Sequence, residues 1–196
     1  MTSPYLGRPS HEWFSITQTL VSNHPLEPQE IVDTVLFCWQ SILETKLGSR
    51  NFQIGKDIFP KPQIMGFFLH ELIPLELEAK YPGFWRGERT AFDKDIVYLP
   101  DDSFSIEVKT SSAPNRIYGN RSYAQETGRD KKRKSGYYLA INFEKFSISR
   151  MPSIRLIRFG WIDSSDWIAQ KAATGQQSRL AVEVEKYKLL ELYRQS

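Results

Sequence analysis

The chain has 196 residues, 40% of them hydrophobic and 13% aromatic, enough to bury roughly 70% of the unfolded surface in one packed domain. Its formal charge of +3 excludes a generally basic protein, but seven Lys and Arg between positions 116 and 134 face only Glu126 and Asp130, so that stretch carries +5 and the remainder −2, a local basic patch. The single cysteine, Cys38, excludes a disulfide framework and reads as a buried structural thiol.

No apolar core of signal-peptide length follows Pro4 and Pro9, and the longest apolar run, "IMGFFL", falls short of the ~20 residues that span a bilayer. A soluble cytoplasmic protein, with no membrane partner, is the expectation. In chain order, residues 10–22 read as a helix capped by Ser10. Pro28 heads a long amphipathic helix that Gly48 ends. A third helix starts near Pro62 and carries Ile64, Phe67, Phe68, Glu71 and Leu75 at helical spacing, with Pro74 kinking or restarting it. Strands follow in 92–111, a hairpin, then 136–144 and 154–162. Residues 165–173 and 181–195 return to helical period. The fold class is α/β, a mixed central sheet flanked by helices, in one domain with a helical N-terminal region over about residues 1–60.

The hairpin "FDKDIVYLPDDSFSIEVKTS" carries ionisable residues inside its strands. With Pro100, Asp101 and Asp102 as a three-residue turn, residue 95 pairs with 107. Ile96, Tyr98, Phe104, Ile106 and Val108 then share one face. Asp95, Val97, Leu99, Ser103, Ser105, Glu107 and Lys109 share the other, and Glu107 and Lys109 are expected to project away from the core. Like charges opposed in a sheet are destabilising, a local cost that belongs at functional sites. Asp95, Glu107 and the Val108 carbonyl supply hard oxygen ligands for Mg²⁺, with water and a substrate phosphate completing the shell. Lys109, on the same face, reaches the water that the metal polarises. Such a set serves phosphodiester hydrolysis.

Asp95, eleven intervening residues and "EVK" at 107–109 resemble the signature of the PD-(D/E)xK nucleases, although Lys94 stands where that signature has proline. Over most of its length the chain also resembles the ScaI-like type II restriction endonucleases, in "IGKDIFPKPQIMGFFLHELIPLELEAKYPGFWRGE", "KDIVYLPDD", "IEVKTS", "YGNRSYAQ" and "IRFGWID…DWIAQKAATGQQSRL". The resemblance implies a restriction-endonuclease-like fold and a Mg²⁺-dependent endonuclease acting as a homodimer on a short palindromic duplex, with a cognate DNA methyltransferase as its genetic partner. It further implies a carboxylate on the helix before the hairpin that completes the metal site. Glu71 fits that position, with Glu76 and Glu78 as competitors and a solvated or capping glutamate as the plainer reading. His70 reads as a satisfied histidine. All three histidines, 11, 24 and 70, precede the hairpin, which excludes a histidine-based nuclease and leaves no zinc site.

After the ExK strand, "RIYGNRSYAQETGRDKKRKSG" interleaves cations with amides and rings. Arg116, Asn120, Arg121, Ser122, Tyr123, Gln125, Lys131, Lys132, Arg133 and Lys134 are the candidates for contact with double-stranded DNA. Gln176, Gln177 and Arg179 form a second candidate surface. Two other readings remain open on sequence: a repair or junction-resolving nuclease on the same core, and a DNA-binding module that does not cut.

Overall fold

The computed structural model describes residues 2–124, 134–172 and 175–195. Helix α1 (Trp13–Ser22) follows a 3-10 turn at Ser10–Glu12, so Ser10 lies inside that turn and caps nothing. Helix α2 (Pro28–Glu44) starts at its proline as expected, but ends at Glu44, where Thr45 turns extended. Gly48, with φ +72°, instead serves the turn between β1 (Lys46–Leu47) and β2 (Phe52–Gln53). Helix α3 (Pro62–Lys80) runs through Pro74 without a break. The proline removes only the N–H that would have bonded the His70 carbonyl. Met65, Leu69, Ile73 and Leu77 form the buried side of α3, whereas Ile64, Phe67 and Leu75 face solvent.

The central sheet has six strands in the order β11-β8-β7-β5-β4-β3. These are β3 (Trp85–Gly87), β4 (Ile96–Tyr98), β5 (Ile106–Ser111), β7 (Gly136–Phe143), β8 (Ile154–Ile162) and β11 (Leu190–Arg194). Only β5 and β7 run parallel; every other neighbouring pair is antiparallel. Ile96 pairs with Ile106, the register read from the hairpin, although the connection is longer than a three-residue turn. It contains a 3-10 turn at Asp102–Phe104, and the Ser105 hydroxyl accepts the Tyr98 N–H at 3.0 Å.

Two stretches differ from their helical period. Residues 165–173 hold the end of a 3-10 turn (Ser164–Asp166) and strand β9 (Trp167–Ala169). Residues 181–195 divide into a short α4 (Val182–Tyr187) and edge strand β11. In the second case the open edge of β8 supplies backbone partners to residues 190–194, and such pairing overrides periodicity. A second sheet, ordered β6-β10-β9 and antiparallel throughout, joins β6 (Tyr118–Asn120), β10 (Gln177–Leu180) and β9.

Both faces of the central sheet are covered, which is why β7 is buried along its whole length and reads as an unbroken apolar run. One face packs on α1, α2 and α3 through Val35, Leu69, Ile96, Ile106, Val108 and Phe159. The other holds Ile117, Tyr138, Ile162, Trp167, Leu180 and Val184. A parallel pair cannot be closed by a tight turn, so residues 112–135 cross from β5 to β7, carrying β6 and a 3-10 turn at Arg121–Ala124. Gly160 in β8 admits the returning chain: a Cβ there would lie 2.1 Å from the Lys188 carbonyl oxygen.

His24 is locked among Trp85, Phe104, Tyr137 and Phe159, with ring centroids 4.6 to 6.0 Å away. Its Nδ1 accepts the Leu26 N–H at 3.1 Å, so Nε2 carries the proton and donates to the Phe104 carbonyl, also at 3.1 Å. Burial pushes its pKa down from 6.5 to about 4. The unfolded chain therefore binds a proton near pH 6.5 that the folded chain refuses until about pH 4. Above that window His24 contributes no pH dependence; within it, stability falls with falling pH by up to about 1.4 kcal/mol per unit. Urea unfolding at half-unit steps checks the slope, and the His24 ring resonances should stay those of neutral imidazole down to about pH 5.

Candidate active site

Val108 lies two residues past the Ile96 and Ile106 pairing; it stands opposite Leu139 in the ladder to β7, and where the ladder to β4 has ended its main-chain groups meet side chains. Its N–H donates to Asp95 Oδ2 at 2.7 Å, and its carbonyl accepts Lys109 Nζ at 3.1 Å. Lys109 Nζ also donates to Glu107 Oε1 at 2.7 Å. The three residues expected to act together are thus joined through the main chain of one residue, Val108.

Glu107 is only 3% exposed and the Lys109 side chain 12%. They do point away from the first core, but the crossover covers them. Tyr123, from the 3-10 turn, donates its hydroxyl to Glu107 Oε1 and lays its ring under Lys109 Nζ, 4.7 Å from the centroid. Burial works against the Lys109 ammonium, yet the Glu107 and Asp95 carboxylates outweigh it and hold the pKa above the ordinary lysine value. The group is a fixed cation at neutral pH.

Among the described residues no group of three or more His, Cys, Asp or Glu side chains forms a ready metal cage. What the site offers is two carboxylates and a backbone carbonyl. Glu107 Oε1 and the Val108 oxygen already converge on one cation, the Lys109 ammonium. This hard oxygen set fits a Mg²⁺ ion that keeps several waters and takes phosphate oxygens for the rest.

Helix α3 reaches the site because Gly66 lets it approach β5; a Cβ there would lie 2.5 Å from Thr110 Oγ1. His70 and Glu71 on this helix line a recess of about 210 Å³ together with Glu78, Arg89 and Asp95. Glu71 is exposed and shares this recess with Asp95. Glu78 pairs with Arg89 at 3.2 Å. Glu76 acts instead on Cys38, whose buried thiol is pushed up to about 12 by burial and by that carboxylate. His70, assigned no role from sequence, has Nδ1 3.6 Å from Asp95 Oδ2 and lines both the recess and a wider groove of about 810 Å³.

That groove runs from Gln63 and Phe67 on α3, past Thr110 to Pro114, to Tyr118, Gln177 and Lys145. Gln63 and Lys145 were missed, and nothing in their spacing marks them. The small sheet unites the two segments that the sequence left as separate candidates, since Asn120 pairs with Gln177 and Tyr118 with Arg179. Tyr118, Asn120, Gln177 and Arg179 are exposed, while Gly119, Ser178 and Leu180 between them are buried. Ser122 and Gln176 are exposed beside this surface. Arg121 binds the Ala172 and Gly175 carbonyls, each at 2.9 Å. Lys134 Nζ lies 5.9 Å from the Tyr123 ring centroid. Gln125, Lys131, Lys132 and Arg133 lie outside the described residues.

Arg116 is held elsewhere. Its guanidinium donates to the Leu180 carbonyl at 2.6 Å and pairs with buried Glu185 at 3.4 Å, a carboxylate that also pairs with Arg158 at 3.4 Å. Arg116→Ala should therefore lower folding stability, by about 2 kcal/mol for a charged partner lost from a mostly buried carboxylate. Urea unfolding reads that loss, and the salt dependence of DNA binding should not change.

A family model for the ScaI restriction endonuclease matches residues 3–193. The type II restriction enzyme ScaI of Streptomyces caespitosus is 50% identical over 194 residues, covering 97% of this chain and 85% of that protein. No solved structure matches the chain significantly.

Proposed function

The chain belongs to the ScaI restriction endonuclease family and is thereby a type II restriction endonuclease, a site-specific phosphodiester hydrolase; we propose that Asp95, Glu107 and Lys109 are its catalytic set, with Mg²⁺ as cofactor. The observation carrying this reading is the convergence of Glu107 Oε1 and the Val108 carbonyl on Lys109 Nζ, beside an Asp95 carboxylate held by the Val108 N–H. Asp95, Glu107 and the Val108 oxygen would hold the ion, and Glu71 would reach it from α3. When bound, Mg²⁺ supplies Lewis acidity and a polarised water. Lys109 orients that water and stabilises negative charge gathering on the phosphate. His70 keeps Asp95 in place from the helix side.

One chain holds one such set and cuts one strand. A double-strand cut at a short palindrome therefore takes two copies related by the two-fold axis of the site, a homodimer. One nuclease domain over the whole chain, in the cytoplasm beside a cognate DNA methyltransferase, suits this activity. No described helix is long and apolar enough to cross a membrane.

The DNA path we infer follows the groove from the recess at Asp95 to the exposed face of the small sheet. Lys145 and Arg179 serve phosphates there, and the Asn120 and Gln177 amides face base edges, where such groups read adenine bidentately.

Glu107→Gln and Lys109→Gln should each slow plasmid linearisation in Mg²⁺ at least about a hundredfold, yet bind cognate duplex in Ca²⁺, which holds phosphate without placing the nucleophile. Alanine at either position strands a buried charge, at a cost of several kcal/mol. Cleavage at near wild-type rate by either glutamine variant, or brisk cutting in EDTA, would remove this set from the reaction.

Phosphate and base contacts separate by salt. Lys145→Gln and Arg179→Gln should weaken binding equally on cognate and scrambled duplexes and flatten the log–log salt slope by up to about 0.9 per contact. Gln177→Ala should cost roughly 1–3 kcal/mol on the cognate site and little elsewhere. Gel-shift titrations at several salt concentrations measure both effects.

A further inference from the structure

Tyr123 was selected from sequence for DNA contact, but its hydroxyl and ring are both engaged with the catalytic pair. We infer that Tyr123 is a positioning residue, which holds the Glu107 carboxylate and the Lys109 ammonium from a turn pinned to the reading strand. The inference rests on the catalytic reading above and deepens it.

A glutamate side chain has three rotatable bonds and a lysine four, so neither holds its own orientation. The Lys109 Nζ and Tyr123 hydroxyl contacts on Glu107 fall on the same oxygen, Oε1. Two donors at one oxygen fix the rotation of the carboxylate and hence the direction of its other oxygen. The Tyr123 ring lies 4.7 Å from Nζ, within cation–π range, so one side chain engages both members of the pair. Partners of this kind around a metal-binding carboxylate set its orientation and affinity.

The turn itself is firmly placed. The Arg121 backbone N–H donates to the Gln176 carbonyl at 2.7 Å, and its guanidinium bonds the Ala172 and Gly175 carbonyls. The Tyr123 ring packs on Trp167 at 5.1 Å between centroids and against Gly119, where a Cβ would come within 3.1 Å of it. Trp167 and Gly119 belong to the outer strands of the small sheet, so the surface proposed to read bases and the pair proposed to cut share one support.

The test compares full-length wild type, Tyr123→Phe and Tyr123→Leu. Ca²⁺ uptake by the complex with cognate duplex is measured by calorimetry, and single-turnover cleavage is measured across Mg²⁺ concentrations. Tyr123→Phe keeps the ring and should bind Ca²⁺ about tenfold more weakly, with a matching rise in the Mg²⁺ needed for half-maximal cleavage and rescue at high Mg²⁺. Its metal-free DNA affinity and melting temperature should remain wild-type. Tyr123→Leu should also lose maximal rate that Mg²⁺ cannot restore, because Lys109 loses its platform. Wild-type Ca²⁺ uptake and Mg²⁺ dependence in Tyr123→Phe would overturn the inference. So would faster cleavage, which would make Tyr123 a latch, or weakened DNA affinity with unchanged cation uptake, which would make it a DNA contact. Glu107→Gln serves as the control: if it too takes up Ca²⁺ and cuts as wild type, the catalytic reading fails rather than the placement of Tyr123.

Discussion

A carboxylate and an ammonium two residues apart on one strand, Glu107 and Lys109, are held almost entirely out of water. Removing an ion from water costs several kcal/mol even after relaxation, and only close pairing with further hydrogen bonds offsets it. The neighbourhood is arranged to meet that requirement. The Val108 carbonyl takes a second donor position of the ammonium, the Tyr123 ring faces it, and the Tyr123 hydroxyl satisfies Glu107. Under the proposed catalytic role the same enclosure would serve chemistry, because charge fixed in a water-poor site acts more strongly on a developing charge than it would in bulk solvent.

The parallel pairing of β5 with β7 provides the enclosure. Had the two strands formed a hairpin, β5 could have passed into β7 through a few residues, leaving Glu107 and Lys109 on an open face. A parallel pair forces the chain back across the sheet, and the crossing segment brings Tyr123 over the ExK strand and β6 to the edge of β10. The third basis for the arrangement is the end of β4. Its ladder to β5 stops at Ile96 and Ile106, so Asp95 meets the Val108 N–H through its side chain. A strand terminus has thus become a set of converging oxygens.

Much of this was legible in the sequence. The turn read at 100–102 led to the Ile96 and Ile106 register, and alternation in 96–108 to the face of each side chain, because a strand has period two and one residue of slip exchanges the faces. Pro28 and Pro62 marked helix starts through their fixed φ. The C-terminal segment was not legible: its apolar residues suit a helix, and only the unpaired edge of β8, a tertiary feature, draws residues 190–194 into a strand. The union of Asn120 with Gln177 was hidden for the same reason, since pairing across 57 positions leaves no local pattern. Arg116 shows the limit of composition. Within a basic segment it looks like its neighbours, but the carboxylate that engages it lies at position 185.

A second buried lysine shows what sets the site apart. Lys188 Nζ meets Asp163 at 3.0 Å and Asp166 at 2.8 Å, with the rings of Tyr5 and Trp13 at 4.3 and 4.5 Å. Its ingredients match those at Lys109: carboxylates around an ammonium, closed by aromatic rings. Lys188 sits where the returning chain crosses Gly160, and its pairing ties that crossing to the turn after β8; neither the recess nor the groove is lined by it. Lys109 and Asp95 both bond the main chain of Val108; Asp95 lines the recess, and the strand that carries Lys109 continues into Thr110 and Ser111 on the groove. A buried ion pair alone therefore does not identify a reactive centre in this fold. What distinguishes Glu107 and Lys109 is that a third charge, Asp95, meets the Val108 N–H between them at a strand end bordering the recess and, through Thr110, the groove.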